Sequence, residues 1–333
     1  MFTSAKQKFT VSEETWDGIN TWVLRGPKTS ARVASLGATL LEWQQTWGGL
    51  QGADLVAGYP NAGALERGFG VRNAIMFPWA NRVADSKYTW AGQEQVLATQ
   101  KTFEPVAMHG WLRNQDLTLL KVASGVDFCA VSFGFTSTPD LVTGYPFALE
   151  IEVTWTLRAV EIFLEIKAKN VGGQPAPVVF GWHPYLKVPG HENIDDLLLH
   201  IPAQVEVVTD KDLIPLAGPA GYRRLEGPVA HEHLRGHSYD GAWTDLVASS
   251  DGWVRTVLGD HKTGDAIAVK QRTGVVTVFT ADGFKPPRPV IAIEPSSGRT
   301  NAFNNADEHE QITLQPGQQA SFGCGLEIMR DVV

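Results

Sequence analysis

Along its clearest stretches the chain alternates hydrophobic and polar residues with a period of two. Phe147, Leu149, Ile151, Val153, Trp155 and Leu157 are interleaved with Ala148, Glu150, Glu152, Thr154 and Thr156. An extended backbone sends the first set to a core and the second to water. Ile162, Leu164, Ile166 and Ala168 repeat the pattern against Glu161, Glu165, Lys167 and Lys169, so both stretches read as antiparallel strands with one wet face. Shorter patterns over residues 22–24 and 32–43, with Gly37 as a turn or bulge residue, predict an opening β-meander. Further strands are predicted over 197–208, 275–280, 290–294, 310–314 and 320–328, and a hairpin over 88–92. Residues 54–70 predict a loop holding one helical turn at 64–67, and residues 218–241 an irregular, Gly- and His-rich segment long enough to carry function.

Composition sharpens this into one all-β domain spanning residues 1–333, a single large antiparallel β-sandwich. With 333 residues, 43% of them hydrophobic, the chain can bury a large core; 33 glycines and 19 prolines against only 19% charged residues suit many turns between short strands. No fixed-period repeat, low-complexity tract or linker divides it. The formal charge of −8, without a Lys/Arg run, argues against a nucleic-acid partner. Residues 1–8 show no apolar leader and no stretch reaches the roughly 18 apolar residues of a membrane span, so a soluble, cytoplasmic protein is expected. Cys129 and Cys324, in apolar strand-like surroundings without C-x-x-C spacing, read as buried free thiols.

Chemistry concentrates in a few places. In Phe180-Gly181-Trp182-His183-Pro184-Tyr185-Leu186 the proline forces His183 into an extended backbone, and an imidazole can exchange protons near neutral pH. A histidine among aromatics is also an ordinary hydrogen-bonded structural residue. The apolar run 71–83 ends in Asn81 and Arg82, a second histidine stands in Met108-His109-Gly110-Trp111, and Glu294 closes the apolar strand Val290-Ile291-Ala292-Ile293 before Pro295. Desolvation would raise the Glu294 pKa and a nearby arginine would lower it. Arg82 has a structural alternative in pairing with Asp85, and Asp240, in Tyr239-Asp240-Gly241, one as an ordinary turn residue.

Taken in order, Pro78-Trp79-Ala80-Asn81-Arg82, His109-Gly110, His183-Pro184-Tyr185, and Ile293-Glu294-Pro295 with Asn301-Ala302 resemble the aldose 1-epimerase (galactose mutarotase) superfamily over roughly residues 20–328. The resemblance implies a β-supersandwich, no cofactor, no metal, and interconversion of the α and β anomers of a free hexose. It makes Glu294 the general base on the anomeric hydroxyl and His183 the acid on the ring oxygen. Arg82 and His109 would hydrogen-bond the sugar and steady developing charge, Asp240 would hold sugar hydroxyls, and Asn81 and Trp182 would join the substrate contacts. Mutarotation needs one group to remove a proton and another to supply one on the opposite side of the ring, which a carboxylate and an imidazole satisfy. His183-Pro184-Tyr185-Leu186 and His109-Gly110-Trp111 depart from the galactose-mutarotase signatures toward a divergent bacterial branch that includes sulfoquinovose mutarotases and is similar to hexose-6-phosphate mutarotases. For a charged C6 group, Arg72, Lys187, Lys285, Arg288 and Arg299 are the candidate cations.

Two other functions compete. A glycoside hydrolase needs two carboxylates flanking the bond, and only Glu294 and Asp240 offer themselves; a non-catalytic carbohydrate-binding sandwich has no need of His183 and Glu294 together. Trp79, Trp182 and Trp243 adjoin the polar groups and are candidates for stacking on a sugar, with Trp155 as a core control. His231, His233 and His237 have zinc-like spacing but lack a firm further ligand, and are read as loop histidines. The expected partner is a monosaccharide, and the expected state a monomer or homodimer.

Overall fold

The computed structural model describes residues 8–100 and 103–330; the first seven residues of the N-terminal segment and both ends of the predicted domain lie outside them. Period-two alternation is realised, among the described residues, as three large antiparallel sheets beside three two-stranded ribbons. The largest has nine strands, in the order Thr118–Ser124, Cys129–Thr136, Leu149–Leu157, Glu161–Asn170, Gln319–Met329, Ala266–Gln271, Val254–Gly259, Leu198–Ile201 and Val229–His231. A second runs Tyr222–Arg224, Ala203–Val207, Asp240–Leu246, Val275–Phe279, Ile291–Ser296, Gly181–His183 and Ala74–Met76, and its eighth strand, Tyr185–Leu186, also pairs with Ile291–Ser296. The predicted opening meander is the third, five-stranded sheet, from Thr10–Trp16 to Leu50–Asp54.

Their inner faces merge into one apolar cluster reaching from Phe9 to Ile328. Trp155 of the nine-stranded sheet meets Trp182 of the eight-stranded sheet edge-on, ring centroids 5.3 Å apart, and Trp22 of the meander meets Phe133 at 4.9 Å. Leu149, Ile151, Val153, Trp155 and Leu157 are all buried, as their alternation predicts. Cys129 and Cys324 are buried free thiols. Among the described residues no helix is long and apolar enough to cross a membrane.

Three local expectations are corrected. Residues 197–208 form two strands instead of one: Pro202, with no N–H to give a ladder, separates Leu198–Ile201 in the nine-stranded sheet from Ala203–Val207 in the eight-stranded sheet. Residues 310–314 are mostly a helical turn, His309–Ile312, in which the Thr313 hydroxyl donates back to the His309 carbonyl; only Thr313–Leu314 is extended. The segment 218–241 is less irregular than expected, since Tyr222–Arg224 and Val229–His231 add edge strands to two sheets and Asp240 opens a third strand.

Trp155 tests the packing between the layers. It is fully buried, and its indole Nε1 donates to the Ala38 carbonyl at 2.8 Å. Trp155→Ala removes the ring and strands that carbonyl, so a loss of about 3–5 kcal/mol is expected, read as a lower urea midpoint at unchanged slope.

Candidate functional site

Neighbouring strands of the eight-stranded sheet bring the sequence candidates onto one face. Cross-strand partners share a face: Asp240 lies opposite Phe279, Phe279 opposite Ala292, and Ala292 opposite Tyr185. Glu294, two residues along from Ala292, therefore points the same way. Asp240, Phe279, Tyr185, Glu294 and His183 line a cavity of about 190 Å³, below the roughly 300–1,000 Å³ of drug-sized pockets and on the scale of one sugar ring. Its other wall is a two-stranded ribbon in which Arg82 pairs with Met108, adding Asn81, Arg82, Met108 and His109, while Gly70, Val71, Phe103 and Phe284 complete the lining. Larger hollows of about 520 and 460 Å³ lie elsewhere, among residues such as Lys167 and Glu150, or Arg299 and Asp307; neither contains the histidine and glutamate pair.

Asparagines fix the backbone that presents these groups. Asn73, at φ 54°, gives its N–H to the His183 carbonyl, takes the Tyr185 N–H on Oδ1 and donates through Nδ2 to the Leu40 carbonyl, so both ends of His183-Pro184-Tyr185 are held. Asn301 gives its N–H to the Arg82 carbonyl and takes the Ala84 N–H on Oδ1. Asn81 Oδ1 accepts from the Arg82 amide and from Arg82 Nη1 at 3.0 Å. The guanidinium is therefore aimed by Asn81 instead of being paired with Asp85.

At the centre His183 Nε2 lies 3.2 Å from Glu294 Oε1, with 6% and 4% of the two side chains exposed. Burial holds the imidazole down to about 4; the nearby polar group of the residue's own backbone opposes the shift, and the Arg113 charge adds to it. Burial and the Asp240 charge push the Glu294 carboxyl well above its ordinary range, against the opposing pull of Arg82. Both directions favour the neutral forms, so the contact is a hydrogen bond between neutral partners with the shared proton on Glu294, and not an ion pair. Glu294 Oε2 and His183 Nδ1 are buried without a partner among the described residues, a costly state that a polar ligand relieves. Asp240 keeps solvent access at the mouth, yet the packed walls around it still raise its carboxyl, with Arg82 opposing.

A model of the family described as aldose 1-epimerase matches residues 20–327. The chain belongs to the aldose 1-epimerase family. It is therefore an isomerase of the sugar-mutarotase type. It is 26% identical to the uncharacterized protein YihR of Escherichia coli over 234 residues, which is 69% of this chain and 71% of that one. It is 29% identical to the galactose mutarotase of Mus musculus over 197 residues, 58% of this chain and 55% of that one, and so spans about half the length of that relative. A galactose mutarotase-like protein from Clostridium acetobutylicum superposes with a TM-score of 0.82 over 97% of this chain and 99% of its own, at 15% identity. An aldose epimerase homologue from C. elegans gives 0.79 at 17% identity, over 97% and 99%.

In this epimerase-family site, His183, Glu294, Asn81, Arg82, His109 and Asp240 all meet at one cavity. Trp182 does not. It neighbours His183 in a strand, so the alternation turns it to the other face, where it is fully buried against Trp155 and donates to the Asn73 carbonyl at 3.0 Å. Trp79 and Trp243 are also buried, packed on Phe303 and Tyr239. The aromatic lining is instead Tyr185, Phe103, Phe279 and Phe284. Tyr185 stood within the quoted motif; the three phenylalanines carried no local signal.

Arg113 was also missed. It is buried over the Phe103 ring at 5.2 Å, its Nε has no partner, and burial lowers it to about 10. His231 and His237, from the zinc-like cluster, stack at 3.7 Å, and His231 meets the Tyr239 hydroxyl.

Folding raises the Glu294 carboxyl above its unfolded value near 4.5. Its contribution to stability is therefore present below that pH and is lost as pH rises toward the folded value. Gln cannot ionise, so Glu294→Gln is expected to gain melting temperature over the parent progressively as pH rises above about 4.5 toward the raised folded value. A constant difference as pH rises from about 4.5 would mean that the carboxylate is ionised in the folded protein.

Proposed function

We propose that this protein interconverts the α and β anomers of a free hexose, with Glu294 as the base and His183 as the acid. The observation that carries the reading is the buried pair at 3.2 Å, each partner with an unfilled polar atom, in a cavity of sugar size. The anomeric hydroxyl oxygen and the ring oxygen are both bonded to C1. A base and an acid held 3.2 Å apart can therefore reach both oxygens from one side of the ring.

Ring opening uses the microstate with Glu294 ionised and His183 protonated, reached from the resting pair by moving one proton across the contact with no change in net charge. Glu294 takes the proton of the C1 hydroxyl, His183 gives its proton to the ring oxygen, the bond from C1 to that oxygen breaks, and C1 becomes the aldehyde carbon. The pair is then back in its resting proton placement. Rotation about C1–C2 presents the other carbonyl face, and the reverse transfers close the ring as the other anomer. Arg82 is the cation available to the developing alkoxide, and Asp240 and Asn81 receive ring hydroxyls. General acid–base help of this kind is worth about 10²- to 10⁴-fold.

Anomer exchange at equilibrium by NMR, with glucose, galactose and C6-sulfonated or C6-phosphorylated glucose, tests the reading. Glu294→Gln is expected to lose the acceleration, about 10²-fold or more, while still binding sugar; retained exchange would remove Glu294 as base. No acceleration of any sugar by the parent would favour a carbohydrate-binding module. Because the pair works with one shared proton, kcat/KM is expected to show a plateau between two limbs. It falls on the acid side near 4, where His183 takes a second proton, and again as pH rises through the raised Glu294 value.

The finer substrate proposal is a hexose with an anionic C6 group such as sulfoquinovose, held by Lys285. Of the five candidate cations, Lys187 pairs with Asp54, Arg288 with Asp195 and Asp282, Arg299 with Glu308, and Arg72 donates to the Gly58 carbonyl. Lys285 is exposed beside the lining residue Phe284 and has no partner among the described residues. Lys285→Ala is expected to raise KM for the sulfonated sugar and leave KM for glucose unchanged; equal effects on both would discard the assignment.

A further inference from the structure

His109 reaches the cavity by an unusual route. Its backbone stands at φ 60°, its N–H donates to the Asn81 carbonyl at 2.9 Å, and the next residue, Gly110, lies so close to Phe77 that a Cβ there would meet the Phe77 carbonyl oxygen at 2.0 Å. With the backbone pinned, the ring is set with Nδ1 2.9 Å from the Met76 sulfur. Met76 is 1% exposed and lies opposite Gly181, on the His183 face of the sheet; a Cβ on Gly181 would come within 2.7 Å of the Met76 methyl, so the missing side chain leaves it room.

A thioether accepts hydrogen bonds and cannot donate them. The contact therefore needs a proton on Nδ1; with the proton on Nε2, two lone pairs would face each other at 2.9 Å. A doubly protonated ring is opposed by burial and by the neighbouring Arg113 and Arg82 charges. We infer that Met76 is a positioning residue that fixes His109 as the neutral Nδ1–H tautomer, making its Nε2 a hydrogen-bond acceptor for a sugar hydroxyl.

Its sugar half rests on the mutarotase reading. It reverses the role expected of His109, because a ring with no proton facing the substrate cannot steady a developing alkoxide. That task falls to Arg82, and the substrate must bring a hydroxyl, not an ionised oxygen, to His109.

Long-range proton–nitrogen NMR on histidine-labelled protein without sugar reads the tautomer, with the His109 signal assigned by its loss in His109→Gln. The expected pattern is Nδ1–H in the parent; an Nε2–H or imidazolium pattern overturns the inference without touching the mutarotase reading. Met76→Leu keeps the volume but not the acceptor. It is expected to move His109 toward Nε2–H and to raise KM roughly 2- to 10-fold with kcat nearly unchanged, the scale of one hydrogen bond. An unchanged tautomer in Met76→Leu, with the other histidine signals showing a native fold, overturns the role of Met76. A fall in kcat at constant KM overturns the hydroxyl assignment.

Discussion

Everything at the cavity depends on keeping an imidazole and a carboxyl 3.2 Å apart out of water. An isolated buried charge is expensive, and a group in that position neutralises if it can. Here both partners can be neutral together, because one proton serves the two. The low-dielectric floor of the sheet therefore tolerates the pair, and the same sharing makes it suited to a reaction that moves one proton on and one proton off without net exchange with solvent. What remains unsatisfied, one oxygen of Glu294 and one nitrogen of His183, belongs to residues that line a cavity of sugar size.

Holding that pair and its surroundings in place draws on backbone strain. Val71, Asn73, Asn81, His109 and Asn301 all have φ between 53° and 63°. Asparagine tolerates that region, whereas a β-branched residue such as Val71 does so only under constraint from its neighbours. The compensation is visible in hydrogen bonds: Asn73 and Asn301 each make several to backbone groups, and they tie the His183 and Arg82 segments to the sheet. The asparagine and arginine at the end of the apolar run 71–83 are explained in the same way, since Asn81 both turns the chain and aims Arg82.

Aromatic residues divide by face. Trp155 and Trp182 fill the space between two sheets, where large apolar area contributes most, and the smaller rings of Tyr185, Phe103, Phe279 and Phe284 line the cavity. Trp182 and His183 are neighbours in one strand, and the pleat alone sends one to the core and the other to the site.

Period-two alternation, the abundance of turn residues and the low charge made the all-β architecture legible in the sequence, because one-sided burial of a strand writes itself into every second residue. The four motifs carried His183, Glu294, Arg82, Asn81 and His109, since special residues in apolar or proline-flanked settings stand out locally, and Asp240 came from the separate Tyr239-Asp240-Gly241 stretch. Only the tertiary structure decided which face each residue takes and which distant segments meet. It turned Trp182 into the core, brought Phe103, Phe279 and Phe284 to the cavity, buried Arg113 over the Phe103 ring and set Met76 against His109. Those outcomes depend on strand register and on contacts between residues far apart in the chain, which leave no local pattern to read.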